Sequence, residues 1–572
     1  MKNTLKIIFT TASVASLVLY SCKESFLERP PLGAIAETSL SNSAGVNGAL
    51  ISTYRTLTGS NVAGWYTSAM NWVWGGVRSD DAYKGTEASD QGQLNPIERF
   101  EVLPSNSSIN DKWRACYDGI GMANNTLNLL AQAKDISDTD KKRIEAETKF
   151  IRAYHHFEAK RNFNNVPWVD EKAITTADFK ALTNDKNIYP QIEAEFKFAF
   201  DNLPETQAQI GRVNKWAAGA FLAKAYLYQG KYAEAKTLFD QIIANGKNSK
   251  GQKYGLLKNF NQVFQGDFEN EQEAVFGIQY TTGDGTGGAN SNKDAELTNP
   301  HNDGPTGCCG FYQPAQSLVN AFKTDAAGLP LIATYNDIDV KNHENSPTAF
   351  PDKGRFDPRL DWTVGRVGIP FLDWGVAKGS WIRNLANGGP YMPIKNIQTK
   401  GELDKYFVSG GWGQGQLGKN QLIIRFADVL LMAAECEVEV GSLDKAQEYV
   451  NMVRNRAKGS AYVMDGGKPA ADYTVNPYTA KWTDKAAART AVRFERYLEL
   501  GMEGHRFYDL VRWGIADQVK NAFFAKEGKI RTHLAGARFT KGKDEYLPIP
   551  EYVINQSKTS DGNQGIKQNP GY

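Results

Sequence analysis

Residues 495–514 read ERYLELGMEGHRFYDLVRWG, and this stretch combines glutamate, arginine, histidine and aspartate in one dense polar cluster. Glu495 and Glu499 lie one helical turn apart, and Arg506 is followed by an aspartate and an arginine at successive intervals of three. Groups at these spacings can pair along one helix and between neighbouring helices. Arginine and carboxylate groups pair in a planar, bidentate geometry that suits partly buried contacts. The stretch therefore predicts two helices joined by ion pairs rather than an acid–base catalytic site.

Two stretches upstream predict paired helices. In residues 216–243, apolar side chains recur at intervals of three and four on both sides of Gly230. Residues 424–453 repeat this pattern around Gly441. Each stripe indicates one buried helix face, and a glycine at the break favours a left-handed helix end. Both stretches resemble tetratricopeptide (TPR) units, which need neighbouring units to complete their core.

The long segment between these pairs, residues 247–420, shows no sustained helical period. It is rich in Gly, Asn, Asp and Trp, with glycine runs at 283–288 and 410–413. Long irregular inserts in a compact protein usually carry function. The sequence therefore predicts a mostly α fold, with a large irregular, ligand-binding subdomain around 247–420 on a TPR-like helical-pair scaffold. The helical pairs are predicted around 112–162, 188–246, 422–458 and 483–516.

The first residues have the pattern of a lipoprotein signal. Lys2 and Lys6 precede an apolar run that is too short to span a membrane, and the run ends at Ser21-Cys22. A small residue before cysteine resembles a lipobox, although Tyr20 is bulkier than that motif prefers. We predict a signal peptide at 1–21, lipidation of Cys22 and a single domain over 22–572. The alternative is an ordinary signal peptide with an incidental cysteine.

Composition narrows the class of partner. The chain of 572 residues has 66 basic and 64 acidic residues. Removal of 1–21 takes away two lysines and leaves a neutral chain, which argues against nucleic acid because phosphate binding needs a basic surface. Four cysteines follow Cys22, without CxxC spacing, so no zinc site is predicted. We predict no cofactor, and the sequence leaves open whether a structural calcium ion is bound.

Aromatic residues are the candidates for ligand binding. Sugars present apolar C–H faces ringed by hydroxyls, so a sugar site needs flat rings and polar side chains together. Residues 65–83 supply three tryptophans with Arg78 and two aspartates, and further rings lie in the irregular segment. The alternative is that these rings fill the core. The predicted ligand-binding residues are Trp65, Tyr66, Trp74, Asp81, Tyr83, Tyr312, Trp374, Trp381 and Trp412.

Familiar catalytic motifs do not occur. The chain has no GxSxG nucleophile elbow and no GxxxxGK[ST] phosphate loop, and His343-Glu344 lacks the second histidine of a zincin. A glycoside hydrolase needs two facing carboxylates. Asp80 or Asp81 could supply one of them, but the sequence indicates no second. We therefore predict no catalytic residues and a protein that is not an enzyme.

The order of motifs resembles the SusD/RagB family over nearly the whole chain. Residues 495–514 look like its hallmark, and residues 421–431 (QLIIRFADVLL) resemble its central helix. The ends also resemble the family, from Cys22 followed by FLE at 26–28 to LPIP at 547–550 and QNPGY at 568–572.

This resemblance implies an outer-membrane, lipid-anchored protein that faces outward, binds oligo- or polysaccharide and caps a SusC-like TonB-dependent transporter. The TPR-like face is expected to meet the transporter, and the opposite face to hold glycan. Ligand residues vary in position within the family, so none is transferred to this chain. Binding of peptides or another nutrient by the same architecture is the alternative, and a glycoside hydrolase is a third.

Overall fold

A computed structural model describes residues 37–59, 64–173, 176–409, 415–559 and 562–572. The helices of twelve or more residues are α1 Ser43–Arg55, α2 Ser107–Gln132, α3 Asp138–Phe163, α4 Tyr189–Asn202, α5 Lys215–Tyr228, α6 Tyr232–Asn245, α7 Phe426–Val440, α8 Leu443–Gly459, α9 Lys485–Leu500 and α10 Ala516–Glu527. Shorter α-helices are Glu37–Leu40, Asn95–Arg99, Thr176–Lys180, Lys293–Leu297, Gln316–Ala321, Leu360–Thr363, Leu385–Gly388, Leu403–Tyr406, Arg506–Arg512 and Glu551–Gln556.

The strands are short and form two-stranded pairs. They are β1 Ala82–Gly85, β2 Ala274–Ile278, β3 Phe311–Pro314, β4 Arg355–Phe356, β5 Val364–Arg366, β6 Tyr391–Pro393, β7 Phe407–Ser409, β8 Gly415–Leu417, β9 Gln421–Arg425, β10 Met464–Asp465, β11 Lys468–Pro469 and β12 Asp472–Tyr473. The pairs are β1–β3, β2–β9, β5–β6, β7–β8 and β10–β11, all antiparallel, with β4–β12 parallel. The prediction of a mostly α fold with an irregular insert of loops and short strands is confirmed.

The long helices form a stack in which neighbours along the chain are neighbours in space. Consecutive helices from α1 to α7 pack against one another, and α7 also packs against α8 and α9. Side chains at the helix starts satisfy backbone donors, as where the side-chain oxygen of Asn214 accepts the N–H of Ala217 at 2.9 Å. Asp484 does the same for Ala487 at 2.7 Å. Each amphipathic helix thus buries its apolar stripe against the next.

The two glycine breaks have different geometry. Gly230 has φ +69° at the end of α5, which is the predicted left-handed helix end. Gly441 instead has φ −121°, so the same prediction for this residue is wrong. Its requirement for glycine is steric, because a Cβ would lie 1.8 Å from the Glu437 carboxylate that accepts the Ser442 N–H.

Strand β2 joins the irregular segment to the helical stack. Phe276 lies edge-on to Phe150 of α3 and Phe221 of α5, with ring centroids 5.1 and 5.9 Å apart. Strand β2 also pairs with β9, which runs directly into α7. Aromatic packing of this kind adds to the free energy gained from area burial. The loops after β2 therefore start from a rigid base.

A buried ion network ties the insert to α7, α8 and α9. Glu499 in α9 accepts hydrogen bonds from Arg359 at 2.8 Å and Arg425 at 2.6 Å, and it also pairs with Arg456. Burial alone would raise the pKa of Glu499, but the charges of Arg456, Arg425 and Arg359 hold the pKa below its ordinary value. These side chains are almost completely shielded from solvent.

The rest of this charged stretch is also structural. Arg496 pairs with Asp428 of α7 at 2.8 Å and with Asp509 of helix Arg506–Arg512 at 3.0 Å. Arg512 pairs with Asp509 at 2.8 Å, three residues earlier. The prediction of helices joined by ion pairs is therefore confirmed.

The cysteines after residue 22 divide into two kinds. Cys308 and Cys309 form a disulfide between adjacent residues. Cys116 and Cys436 are buried free thiols. Burial raises the pKa of Cys116 to about 12, so this thiol stays protonated at neutral pH.

Candidate functional site

Most of the predicted aromatic ligand residues lie in the core. Trp74, Tyr83 and Tyr312 have no exposed surface, and Tyr66 and Trp381 are buried as well. The Trp74 indole donates to the Tyr66 carbonyl at 2.6 Å, and the Tyr83 hydroxyl donates to Glu527 at 2.6 Å. All five side chains are closed off from solvent, so these five predictions are corrected: the rings stabilise the fold and cannot reach a ligand in this structure.

Asp81 is corrected for the same reason. It is fully buried, and burial followed by the charge of Asp80 raises its pKa to about 8. Asp80 is itself held by Arg506, whose guanidinium donates to both carboxylate oxygens at 2.8 and 3.1 Å. Asp80 lines an open pocket of about 230 Å³, but none of the other lining residues is Asp or Glu, so this pocket lacks the second carboxylate that a glycoside hydrolase needs.

Trp65 differs from these residues because its ring is only partly buried. The backbone carbonyl of Trp65 accepts the indole N–H of Trp72 at 2.9 Å. Trp72 has no exposed surface and belongs to a buried π-helical turn, Trp72–Val77. The backbone at Trp65 is therefore tied to the core, while its ring stays partly buried.

Lys293 lies beside this ring. Its ammonium nitrogen is 5.6 Å from the centre of the Trp65 ring, a distance at which a cation is attracted to the face of an aromatic ring. Within the described part of the chain, the Lys293 ammonium has no carboxylate partner within ion-pair distance. The ring and this cation together offer both an apolar surface and a hydrogen-bond donor.

The glycine-rich loop between β2 and helix Lys293–Leu297 borders the same surface. The Thr281 N–H donates to the Asn290 carbonyl at 3.0 Å and closes the loop at its base. Inside it, Asp284 accepts from the Thr286 hydroxyl at 2.6 Å and from the Asn290 amide at 2.7 Å. We call Trp65, Lys293 and residues 281–292 the Trp65 platform.

The hairpin β7–β8 supports the far side of the platform. The Asn292 N–H donates to the Leu417 carbonyl at 2.7 Å. Gly288 lies so close to Gln416 that a Cβ at Gly288 would be 2.5 Å from that side chain. Trp412 belongs to the segment between β7 and β8 and lies outside the described residues, as does Cys22.

Two buried carboxyl groups anchor the platform from below. The Ser68 hydroxyl donates to Asp294 at 2.6 Å, and the Ser291 hydroxyl donates to Glu296 at 2.7 Å. Burial raises the pKa of Asp294 to about 8 and that of Glu296 to about 7. The charge of Lys293 opposes this rise in the pKa of Glu296, so Glu296 balances part of the Lys293 charge without forming an ion pair with it.

Trp374 lies in a separate cluster. It is partly buried, and its indole N–H donates to the Gln398 carbonyl at 2.9 Å. The Lys400 ammonium is 5.3 Å from its ring centre. The neighbouring apolar side chains, among them Phe371 and Trp381, form a small core distinct from the one behind Trp65.

An open groove borders the platform. Its volume is about 500 Å³, and its lining residues are Ile51, Tyr54, Arg55, Leu57, Thr58, Gln209, Ile210, Gly211, Arg212, Gly277, Ile278, Gln279, Thr281 and Asn290. Neither this groove nor Lys293 was expected from the sequence. A groove assembled from three distant segments leaves no local pattern, and Lys293 follows an Asn-Ser-Asn run like an ordinary loop lysine.

Over the described ranges, no group of three or more His, Cys, Asp or Glu side chains is placed to hold a metal ion. None of the helices that the structure describes combines the length and the apolar character needed to cross a bilayer.

Comparisons with known proteins agree with this architecture. A relative from Formosa agariphila, a SusD-like protein, is 24% identical over 580 residues, covering 98% of this chain and 99% of the relative. The starch-binding protein SusD of Bacteroides thetaiotaomicron is 24% identical over 460 residues, covering 77% of this chain and 75% of that protein. Among solved structures, a laminarin-binding SusD-like protein superposes with a TM-score of 0.66 at 24% identity, covering 93% of this chain and all of that one.

A second solved structure is informative because it includes a ligand. It is surface glycan-binding protein A of Bacteroides thetaiotaomicron in complex with laminarihexaose, with a TM-score of 0.63 at 18% identity over 92% of this chain and 99% of the other. Residues 67–227 match a family described as starch-binding associating with outer membrane. Residues 272–572, more than half of the chain, match the model of the SusD family. The chain therefore belongs to the SusD family.

Proposed function

We propose that this chain binds glycan on the Trp65 platform and breaks no bond in it. The observation that carries the proposal is a partly buried tryptophan ring beside an ammonium group that has no carboxylate partner among the described residues, next to a loop that carries amides, hydroxyls and the Asp284 carboxylate. A sugar ring can lay its C–H face on the indole while its hydroxyls bond to Lys293 and to the loop. Trp374 and Trp412 are proposed as additional contacts on the ligand side.

Relatives support the choice of ligand class. One structural neighbour binds laminarin, another was solved with laminarihexaose, and a curated relative is a starch-binding protein. These proteins share the fold of this chain at low identity. We therefore propose an oligo- or polysaccharide ligand without assigning laminarin or starch to this chain.

We further propose that the protein is anchored to the outer membrane through a lipid on Cys22, faces outward and passes its glycan to a SusC-like TonB-dependent transporter. The sequence at Ser21-Cys22 and the family description that names the outer membrane support this location. A Cys22→Ala variant should leave the membrane fraction while keeping its affinity for glycan. The transporter should co-purify with the anchored protein from outer membranes.

The binding proposal is tested by affinity electrophoresis of the purified protein in gels that contain single polysaccharides, followed by calorimetry with those that retard it. Trp65→Ala should weaken binding by roughly tenfold or more, because the apolar face of the sugar loses its partner. Trp482→Ala is the matched control. This tryptophan is also partly buried, but it packs beside Tyr478 with a centroid distance of 5.3 Å, away from the platform.

The outcomes separate the alternatives. Equal loss in both tryptophan variants would place the site elsewhere. Retention of oligopeptides but of no polysaccharide would favour the peptide-binding alternative. Release of reducing ends by the pure protein would contradict the proposal that no bond is broken.

A further inference from the structure

The groove beside the Trp65 platform has a distinct charge. Two of its lining residues, Arg55 and Arg212, are cationic, and none of the lining residues is Asp or Glu. The charge of Arg212 is balanced by the buried Glu147, with which it pairs at 3.1 Å. Arg212 also donates a hydrogen bond to the Gln209 side chain at 2.8 Å. Arg55 is exposed and, within the described residues, is without a carboxylate partner. The groove thus presents one uncompensated guanidinium to solvent.

Part of the placement of Arg55 is explained by its helix. It is the last residue of α1, where a cation interacts favourably with the helix dipole. That effect does not account for the rest of the groove. Exposed Ile51 and Ile210 stand with Arg55 around an open volume of about 500 Å³. Exposed apolar side chains beside a free cation are typical of a binding surface.

The groove is continuous with the platform. The Ala69 N–H donates to the Leu57 carbonyl at 3.1 Å, so the groove wall is hydrogen-bonded to the segment that follows Trp65. Asn290, at the other wall, precedes Lys293 by three residues, which limits the distance between their Cα atoms to about 11 Å. Because Thr281 and Asn290 belong to both the groove lining and the platform, an extended ligand that lies on the loop would also enter the groove.

We propose that this groove is a second subsite for the same glycan and that it takes a uronic acid unit, whose carboxylate pairs with Arg55. The proposal rests on glycan binding at the Trp65 platform. Arginine binds a carboxylate through two parallel hydrogen bonds, which gives both energy and orientation. Lys293, which also has no carboxylate partner among the described residues, adds a second cation along the path of the glycan. The nearly balanced composition of the chain, with 66 basic and 64 acidic residues, conceals this local charge.

The test compares charged and neutral ligands on wild type and matched variants. Affinity electrophoresis and calorimetry would use alginate, polygalacturonate and glucuronoxylan as uronate polymers, carrageenan as a sulfated polymer, and laminarin and starch as neutral ones. Arg55→Gln removes the proposed partner. Lys468→Gln removes one positive charge from exposed strand β11, which lines neither platform nor groove. Thermal unfolding would verify that both variants are folded.

We expect wild type to bind at least one uronate polymer and Arg55→Gln to bind it roughly tenfold or more weakly, because a charge-assisted pair is lost. Lys468→Gln should bind like wild type. Chemical reduction of the polymer's carboxyl groups should weaken wild-type binding and abolish the difference between wild type and Arg55→Gln. Added salt should weaken binding of the uronate polymer and not of its reduced form.

Each other outcome overturns the proposal in a recognisable way. Binding of laminarin or starch alone would reject the uronate subsite and leave glycan binding at the platform intact. Binding of carrageenan but of no uronate polymer would reject the carboxylate as the recognised group. Equal affinity of Arg55→Gln and wild type for a uronate polymer would reject Arg55 as its partner. Binding of no polysaccharide would count against both the subsite and the proposed function.

Discussion

Two regions of the molecule use the same residue types for opposite purposes. Around Glu499, arginines and carboxylates are buried together, and each charge has partners within hydrogen-bond distance. At the Trp65 platform and its groove, Lys293 and Arg55 stand beside rings and amides without a carboxylate partner in the described chain. Residue type alone therefore does not identify a site. What distinguishes the platform and its groove is that two cations without a carboxylate partner among the described residues lie close to a partly buried ring and an open groove.

The largest effect is expected in the buried network. Glu499→Gln should lower the free energy of unfolding by about 3–5 kcal/mol, because three arginines lose one of the carboxylates that balance them in a dry environment. Urea denaturation would measure the loss. Glu448→Gln is the control, since Glu448 pairs with Lys445 in an exposed contact where little stability is at stake.

For the part of the Glu499→Gln sample that stays folded, glycan affinity should match wild type. A stability loss no larger than that of Glu448→Gln would show that the buried network does not hold the insert to α7, α8 and α9.

A smaller effect separates core aromatics from ligand aromatics. Trp74→Phe should reduce the free energy of unfolding by about 1–3 kcal/mol, because the hydrogen bond to the Tyr66 carbonyl is lost and the core is left underfilled. Glycan affinity should be unchanged. Calorimetric binding together with thermal unfolding checks both expectations, and lost affinity in a well-folded Trp74→Phe would reinstate Trp74 as a ligand residue.

The raised pKa of Asp294, which lies below the platform, predicts that the free energy of unfolding depends on pH. Burial raises its pKa to about 8, so the folded protein holds this proton more tightly than the unfolded chain does. Its contribution to stability is present at acid pH and is lost progressively as the pH rises from about 4, the ordinary value, to about 8. Asp294→Asn removes this titration, so the free energy of unfolding of the variant minus that of wild type should increase between pH 5 and pH 9.

The matched control is Asp404→Asn, at an exposed position in helix Leu403–Tyr406. Its difference from wild type should stay constant over the same range. A constant difference for Asp294→Asn as well would contradict the buried, protonated carboxyl.

The smallest effect concerns the shape of the loop. Gly285 and Gly288 have similar left-handed φ angles of +80° and +83°. A Cβ at Gly288 would meet Gln416 at 2.5 Å, whereas a Cβ at Gly285 would meet no atom within 4 Å. Both substitutions strain the backbone, but only Gly288→Ala also has to displace the Gln416 side chain. Gly288→Ala should therefore weaken glycan binding by roughly a few-fold more than Gly285→Ala. Equal affinities would show that the loop's contact with the hairpin does not shape the site.

The fold could be predicted from the sequence because its signals are local. Apolar intervals around Gly230 and Gly441 follow the helical period, and the charges from Glu495 onward follow helical spacing. The conformation of Gly441 could not be predicted, because it depends on the position that the Glu437 side chain takes in the folded protein.

The candidate site was predicted only in part. Trp65 and the glycine-rich loop were identified, but residues 65–83 have no periodicity that tells which rings face the core. A buried π-helical turn, which no simple period predicts, takes Trp74 inward. The groove depends on contacts among α1, the segment before α5, and β2, which are far apart in the sequence. Burial of this kind is a tertiary property.

The central claim is that the glycan rests on Trp65. Hydroxyl-radical footprinting with mass spectrometry, with and without a saturating amount of a polysaccharide that retards the protein, tests it directly. We predict that Trp65 becomes protected from oxidation while Trp482 is oxidised equally in both samples. Equal oxidation of Trp65 with and without the ligand, together with protection of another aromatic residue, would contradict the account.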